Sequence, residues 1–420
     1  MLPHLRRVRH VVLIAFVLVL AGCGVSGQTG TQPTPTSAAT PAVSCDFTLD
    51  DPPPAPQGSL PYEPGTGRSA LRAEQWAAIA MASADEGWAI ARNTPIPHST
   101  LFIRYHAGRW TAPFGPLQQD LRSLAMVSPN EGWAVGDEGV IMHYTGGKWT
   151  VTVPAGSLPY FHHFPFVGPD YMTNYLSSVS MTSATDGWAV GQGIQKDSAG
   201  HMQEVRVFVH YTGGRWTVVE PATPGPVERP PVVSMVSAGD GWTLGAGGVF
   251  RYQQGRWLED ETATSDPAWK SVQVNSASMA SSAEGWAVGQ TATSGFVARY
   301  CGGKWTIAGP ENLAHADQFD GAILTGVAMV SPREGWMIGS RPGPSAELGR
   351  SGFVLHYLDG RWSAVSTPLV AGCALSVLAM DSASDGWAIG TCGASGPYET
   401  FLLHYHSGAW SLYQNEIRLP

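Results

Sequence analysis

A glycine–tryptophan pair recurs seven times in this 420-residue sequence, and no other feature restricts the fold as strongly. Successive pairs are 44 to 55 residues apart, a period typical of repeat architectures. The tryptophans of the seven pairs are Trp88, Trp133, Trp188, Trp242, Trp286, Trp336 and Trp387. Chance does not produce such a register, so one structural unit is expected to build most of the chain.

Other residue types keep the same register in every repeat. Seven positions before each pair's tryptophan there is a methionine, five before it a serine, and two before it an acid. A second tryptophan closes each repeat, with a tyrosine five positions and a glycine two positions before it. These closing residues are Trp110, Trp149, Trp216, Trp257, Trp305, Trp362 and Trp410. Fourteen of the sixteen tryptophans therefore hold fixed repeat positions, which predicts a structural role for them.

Each repeat contains four short segments of strand-forming residues, which we call strands A to D. In the second repeat they are "SLAMVS", "GWAVG", "GVIMHYT" and "KWTVTV", separated by glycine-containing turns. Seven such units predict an all-β fold, a seven-bladed β-propeller of four-stranded blades within 71–420. The blades are predicted near 76–118, 119–160, 175–222, 230–262, 272–310, 322–368 and 374–416.

The segment "LRAEQWAAIAMASADE", residues 71–86, has the composition of a helix. Its methionine, serine and acid nevertheless stand in register with the other six repeats. The repeat pattern therefore predicts a strand for its second half.

The N-terminus has the features of an export signal. Three arginines precede the apolar run Val11–Leu20, which is too short to span a bilayer. The run ends in Leu20-Ala21-Gly22-Cys23, which resembles the lipobox of bacterial lipoproteins; the alternative is an ordinary secretory signal. The resemblance implies a signal peptide over 1–22, lipidation of Cys23, and a location on the extracytoplasmic side of the cell membrane. Residues 23–70, rich in Pro, Thr and Ser, are predicted to be a tether.

The repeats resemble the BNR-like propeller repeats of photosystem II assembly-factor-type proteins, within the sialidase-like superfamily. Gly132-Trp133-Ala134-Val135-Gly136 matches one element of those repeats, and Gly146-Gly147-Lys148-Trp149 matches the other. The Tyr-to-Trp spacing is also similar to kelch repeats. The resemblance implies a non-enzymatic scaffold for binding or assembly. The alternative is a propeller that binds or hydrolyses carbohydrate, as sialidases do.

The sequence contains no pattern that identifies a catalytic, metal or cofactor site. The Asp box of sialidases is missing, and no group of arginines stands out from the repeat. We interpret the seven repeated acids as turn residues that accept backbone N–H bonds. The Arg or His before each repeat tyrosine is interpreted as a structural hydrogen-bonding position, because alternation of Arg with His disfavours metal ligation. The formal charge of −9 disfavours nucleic acid as a partner.

The turns between strands A and B and between C and D are constant in length, whereas the B–C and D–A connections vary. In a propeller these two sets lie on opposite faces, so function is predicted on the variable one. The longest D–A insert, Leu158–Asn174, is rich in aromatic residues. Candidate contacts for a protein or glycan partner are Tyr160, Phe161, His162, His163, Tyr171 and Tyr175. The alternative is that this insert packs on itself as a lid. The polar B–C connections 192–204 and 340–352 are expected on the same face.

Four cysteines remain beyond Cys23, an even number that fits an oxidising compartment. Cys373 opens strand A of the last repeat and Cys392 follows its strand B, so an antiparallel hairpin brings them together. A disulfide between them leaves Cys45 and Cys301 as the second pair.

The anchor yields a direct test. Because acylation of Cys23 would hold the chain on a bilayer, Cys23→Ser is expected to move the protein from the membrane fraction to the soluble fraction. Fractionation followed by immunoblotting measures this. Membrane association of the variant at the wild-type level would contradict the anchor.

Overall fold

Seven four-stranded antiparallel sheets follow one another along the chain, each built from consecutive strands in the order A-B-C-D. The structure is a computed structural model that describes residues 44–53, 75–92, 98–162, 174–219, 230–245, 248–309, 312–313, 315, 317–343, 345, 349–369, 371–393, 399–415 and 417. It confirms the predicted seven-bladed propeller. The signal segment and Cys23 lie outside the described residues.

The strands are numbered in chain order. β1 (Thr48–Leu49) precedes the blades. Blades 1 to 4 are β2 (Gln75–Ser83), β3 (Glu86–Arg92), β4 (Thr100–His106), β5 (Arg109–Thr111); β6 (Leu121–Ser128), β7 (Glu131–Gly136), β8 (Ile141–Thr145), β9 (Lys148–Val153); β10 (Tyr175–Ser183), β11 (Asp186–Lys196), β12 (Met202–Thr212), β13 (Arg215–Val219); β14 (Val232–Ser237), β15 (Asp240–Gly245), β16 (Gly248–Gln253), β17 (Arg256–Glu259). Blades 5 to 7 are β18 (Gln273–Ser281), β19 (Glu284–Gln290), β20 (Gly295–Cys301), β21 (Lys304–Ile307); β22 (Ile323–Ser331), β23 (Glu334–Pro342), β24 (Arg350–Leu358), β25 (Arg361–Val365); β26 (Cys373–Met380), β27 (Asp385–Cys392), β28 (Glu399–His406), β29 (Ala409–Leu412).

Two short helices, α1 (Glu261–Ser265) and α2 (Pro267–Lys270), lie between blades 4 and 5. Asp260 caps α1 and Asp266 caps α2 through side-chain bonds to backbone amides. Neither described helix has the length or apolar character needed to cross a membrane. The segment with helical composition forms β2 from Gln75 onward, as the repeat register predicts.

The repeated glycine before each second tryptophan is required by the C–D turn. In all seven blades this turn has two residues, both at positive φ, as in Ala107-Gly108 of blade 1 (47° and 83°) and Gly146-Gly147 of blade 2 (58° and 78°). Two successive residues at positive φ define the type I′ hairpin, whose twist matches that of the flanking strands. The spacing from Tyr to Gly to Trp is therefore the length of one tight hairpin.

The repeated serine and acid have different tasks at the A–B turn. In every blade the serine Oγ accepts the amide N–H two residues later, at 3.1–3.3 Å. The acid instead pairs with the Arg or His of strand C, at N···O distances of 2.6–3.0 Å. The pairs are Glu86–Arg104, Glu131–His143, Asp186–His210, Asp240–Arg251, Glu284–Arg299, Glu334–His356 and Asp385–His404. This corrects our assignment of backbone amides to the acids, because the serine already binds the turn amide.

Each repeated methionine faces the glycine of its own blade's glycine–tryptophan pair across strands A and B. The pairs include Met126↔Gly132 and Met181↔Gly187. A β-carbon on any of the seven glycines would overlap the sulfur of its methionine. The glycine is thus required for side-chain space, since its φ is not in the left-handed region.

Aromatic contacts join one blade to the next. Each strand-B tryptophan packs on the strand-C tyrosine of the following blade, with ring centroids 4.6–5.2 Å apart. These pairs are Trp88–Tyr144, Trp133–Tyr211, Trp188–Tyr252, Trp242–Tyr300, Trp286–Tyr357, Trp336–Tyr405 and Trp387–Tyr105. Each such aromatic buries about 150–250 Å². The core of the ring is therefore a set of interblade contacts.

Blade 7 closes on blade 1 by side-chain packing, because among the described residues the two sheets exchange no strand. Trp387 of blade 7 lies against Tyr105 and Trp110 of blade 1. The Trp76 indole donates to Thr400 Oγ1 at 3.1 Å, and the Trp110 amide donates to the Tyr413 hydroxyl at 3.0 Å.

The predicted tether, 23–70, is too long, because residues 44–53 belong to the propeller. β1 pairs in parallel with β25 as a fifth, outer strand of blade 6. Phe47 and Leu49 are buried, and Phe47 packs edge-on against Trp286 at 4.9 Å. A disulfide joins Cys45 to Cys301 in blade 5. The sequence analysis missed the packing of Phe47 and Leu49 because the surrounding segment is rich in proline.

The methionine–glycine contact leads to a measurable effect on stability. Gly132→Ala is expected to lower the free energy of unfolding by about 1–3 kcal/mol, because the new methyl group overpacks against Met126. Chemical denaturation measures the loss. In the Met126→Ala background the added cost should shrink, since the sulfur is gone.

Gly115→Ala is the matched control, because Gly115 is exposed and a β-carbon there meets no atom within 4 Å. A change below about 0.5 kcal/mol is expected for it. Equal losses at Gly132 and Gly115 would rule out the overlap as the cause.

Candidate functional site

The two faces of the propeller differ in the connections that they carry. The uniform face holds the short A–B and C–D turns, and the variable face holds the B–C and D–A connections. Two variable B–C connections are partly continued strands: β11 and β12 pair out to Lys196 and Met202, and β23 and β24 pair out to Pro342 and Arg350. Much of the predicted loops 192–204 and 340–352 is thus extended hairpin.

A group of four charged side chains and one tyrosine lies on the variable face of blades 1 to 3. Its members come from the ends of strands B and the starts of strands A, which meet at this face. We call Arg92, Asp120, Arg122, Asp137 and Tyr175 the charge cluster. The sequence did not reveal it, because the five residues come from separate segments and none of them occupies a repeat position.

The cluster is held together by two arginines and two aspartates. Arg122 donates to Asp137 Oδ1, and Arg92 Nη2 lies 3.5 Å from Asp137 Oδ2 and 3.8 Å from Asp120 Oδ1. His98 Nδ1 lies 2.9 Å from Asp120 Oδ2. Arg92 thereby bridges the two carboxylates and joins blade 1 to blade 2.

Tyr175 extends the cluster into blade 3. The Arg122 guanidinium lies over its ring, with Cζ 3.8 Å from the centroid, and its hydroxyl donates to Gln192 Oε1 at 3.5 Å. Burial raises the pKa of Tyr175, although the neighbouring Arg122 acts in the opposite direction. The phenol therefore stays neutral at physiological pH and can act as a hydrogen-bond donor.

The cluster has a more buried half, Arg92 and Asp120, and a more accessible half, Arg122 and Asp137. Burial, and then the like charge of Arg122, lower the pKa of Arg92. The side chains of Arg92 and Asp120 are 14% and 10% exposed, whereas those of Arg122 and Asp137 are 25% and 32% exposed. Arg122 and Asp137 are therefore the charges that a ligand can reach.

The aromatic insert does not form one exposed surface. Phe161 is 1% exposed and packs in the core of blades 2 and 3 with Tyr160 and Leu158, and its ring fills the space beside Gly139. Tyr175 is also buried, as the first residue of β10. Burial removes Phe161 and Tyr175 from the predicted ligand-contacting set and gives them packing roles. The position of Phe161 agrees better with the alternative that this insert packs on the ring as a lid.

The remaining insert candidates differ in accessibility. Tyr160 is half-buried, and its carbonyl oxygen accepts the Ile194 amide at 2.8 Å. His162 is exposed, and its backbone is fixed by the Asn174 side chain. His163 and Tyr171 lie outside the described residues. A ligand role for Tyr160, His162, His163 and Tyr171 stays a prediction.

Blade 3 also contains a buried arginine that the sequence analysis did not identify. Arg206 is 5% exposed and stacks on Phe250 of blade 4, with Cζ 4.5 Å from the ring centroid. Its Nη2 donates to the Gly248 carbonyl oxygen at 3.4 Å. Burial lowers the pKa of Arg206 to about 10, and the Glu259 carboxylate acts in the opposite direction.

A disulfide lies at the variable edge of blade 7. It joins Cys373, the first residue of β26, to Cys392, the last residue of β27. The disulfide covalently joins the two ends of the β26–β27 hairpin. Its role is therefore structural.

No known protein family matches the chain, and no curated protein matches it. Among solved structures it is similar to YCF48 bound to a D1 peptide, at 14% identity and a TM-score of 0.46, over 88% of this chain and 99% of that chain. YCF48 from Cyanidioschyzon merolae matches at 14% identity and a TM-score of 0.46, over 82% and 97%. A GH74 xyloglucanase from Xanthomonas campestris matches at 12% identity and a TM-score of 0.50, over 83% and 56%. These similarities bear on the propeller fold alone.

The burial of Phe161 leads to a stability test. Phe161→Ala is expected to lower the free energy of unfolding by about 3–5 kcal/mol, as for a large buried aromatic. Val151→Ala in the same blade truncates a side chain that is 44% exposed and should change it by less than about 0.5 kcal/mol. Denaturant titration compares the two. Similar small losses of unfolding free energy for both variants would mean that Phe161 is not part of the core. They would restore it as a candidate ligand contact.

Proposed function

We propose that this protein is a non-enzymatic binding scaffold whose variable face takes a protein partner through the charge cluster. The observation that carries the proposal is the contrast between the two faces. Seven similar blades supply a rigid frame and a uniform face, and the partly exposed Arg122 and Asp137 lie on the face that breaks the repeat. Binding residues commonly lie on variable connections held by a rigid scaffold.

A protein partner fits the cluster better than a glycan substrate. Opposite charges side by side suit a polypeptide that carries both signs, and such complementarity contributes specificity and association rate. Glycoside hydrolysis needs one protonated carboxylic acid and one carboxylate facing the sugar. In the cluster, Asp120 and Asp137 both lie within ion-pair distance of arginine instead.

The proposal also includes a membrane anchor. The lipobox-like Leu20–Cys23 would make the protein a lipoprotein on the extracytoplasmic side of the membrane. The two disulfides, Cys45–Cys301 and Cys373–Cys392, suit that oxidising compartment. The partner would then be an envelope or secreted protein.

Affinity capture from a cell-envelope extract tests the proposed face. The full chain would be compared with Arg122→Glu, which reverses one accessible charge. The second comparison is Arg215→Glu, which makes the same change at the exposed first residue of β13, beside the C–D turn of blade 3. Loss of the captured protein is expected for Arg122→Glu only, by about tenfold or more, as for one partner of a charge pair. Quantitative mass spectrometry measures it.

Stability must be separated from recognition in this comparison. The double variant Arg122→Asp with Asp137→Arg restores an internal ion pair with reversed polarity. It should recover thermal stability and still fail to capture the partner. Capture by the double variant, or equal loss with Arg215→Glu, would contradict binding at the charge cluster.

A further inference from the structure

Blade 7 departs from the repeat at two positions near the uniform face. The residue after the repeated methionine is Ala, Val or Thr in the other six blades and Asp381 in blade 7. The residue after the repeated tyrosine is His406 in blade 7, and histidine occurs there elsewhere only in blade 1, as His106. Together with the repeated pair Asp385–His404, these positions give blade 7 two aspartates and two histidines.

Three of these side chains converge on one point. His404 Nε2 lies 3.0 Å and His406 Nδ1 lies 3.1 Å from the same oxygen, Asp385 Oδ2. One ligand atom from each of the three residues lies within 4.8 Å of the others. Stacking of the His404 ring on Trp387, at 4.1 Å and 7°, fixes its orientation. His406 is 67% exposed, so the group opens to solvent on one side.

The two aspartates carry oxygens that the rest of the blade leaves without donors. Asp385 is 7% exposed, and neither its Oδ1 nor the buried Oδ1 of Asp381 has a hydrogen-bond partner among the described residues. An unsatisfied buried carboxylate oxygen is costly.

The backbone of blade 7 also departs from the repeat at this place. Strand A continues to the repeated serine in the other six blades, but β26 ends at Met380. The amides of Asp381 and Ser382 both donate to the Asp385 carbonyl oxygen, at 3.2 and 3.3 Å. The altered turn brings Asp381 beside the Asp385–His404 pair.

We propose that Asp385, His404 and His406, with Asp381 beside them, bind a divalent transition-metal ion of the zinc type. Two imidazole nitrogens and a carboxylate oxygen are donors that suit zinc, whereas calcium and magnesium prefer oxygen ligands alone. A tetrahedral ion about 2.0–2.1 Å from its ligands separates them by about 3.3 Å. The two histidine-to-Asp385 separations of 3.0 and 3.1 Å are close to that value, and the two imidazole nitrogens lie within 4.8 Å of each other.

The other blades show why a purely structural reading falls short. Blade 3 makes the same strand-B to strand-C contact between Asp186 and His210, and its Thr182, at the Asp381 position, donates to Asp186 Oδ1 at 3.0 Å. Blade 7 has no such hydroxyl at this position, because Asp381 stands there. Blade 1 has His106 on Glu86, but Arg104, which is no zinc ligand, takes the place of His404. Only blade 7 combines all four donor side chains.

Isothermal titration of the untagged full chain with Zn²⁺ tests the site. One ion per chain is expected, with an increase in melting temperature because the ion binds the folded state. His406→Ala and Asp381→Ala are the informative variants, since His406 is exposed and alanine stands at the Asp381 position in blades 1 and 5. Each should weaken binding by about 10- to 100-fold.

His106→Ala in blade 1 is the matched control, because this histidine is 64% exposed and also contacts its blade's acid. It should leave zinc affinity unchanged and the fold intact. His404 is not substituted, since its stacking on Trp387 makes it part of the core. The absence of a stoichiometric zinc event in the wild type, or equal losses for His406→Ala and His106→Ala, would overturn the proposal.

Discussion

The contact between a strand-B tryptophan and the tyrosine of the next blade is the interaction on which the ring depends. It occurs seven times and returns from Trp387 to Tyr105, so each of the seven strand-B tryptophans is covered by the next blade. In the part of the chain that the structure describes, no strand crosses from blade 7 to blade 1, so closure rests on this packing and a few hydrogen bonds. The tight C–D hairpins and the methionine–glycine pairs support this tryptophan–tyrosine contact, because they fix the position of each tryptophan.

Most of the frame could be predicted from the sequence because its determinants are local and repeated. The spacing around Trp133 specifies a strand, a two-residue hairpin and a closing strand. What could not be predicted joins distant segments: the charge cluster unites Arg92 with Asp137, and β1 adds to blade 6 from a proline-rich stretch. The repeated acids were misassigned for a related reason, since their partners lie 11 to 24 residues later on strand C.

Two departures from sevenfold repetition coincide with the two sites that we propose. One departure concerns connections on the variable face, where Arg122 and Tyr175 come together. The other concerns side chains at the uniform edge of blade 7, where Asp381 and His406 interrupt the pattern. Neither changes the interblade core, because Trp387 packs on its neighbours as the other six tryptophans do.

The disulfide between Cys45 and Cys301 determines how mechanical force would travel through the protein. β1 is parallel to β25, which runs from the uniform face to the variable face, so the chain enters the propeller on the uniform side at blade 5. Tension applied to the preceding residues would pass through the covalent bond into β20 and would spare the two-residue strand β1. Reduction of the bond would shift the load to the few hydrogen bonds of Thr48 and Leu49, in shear. The oxidation state of the Cys45–Cys301 bond thus determines whether such tension reaches the hydrogen bonds of β1.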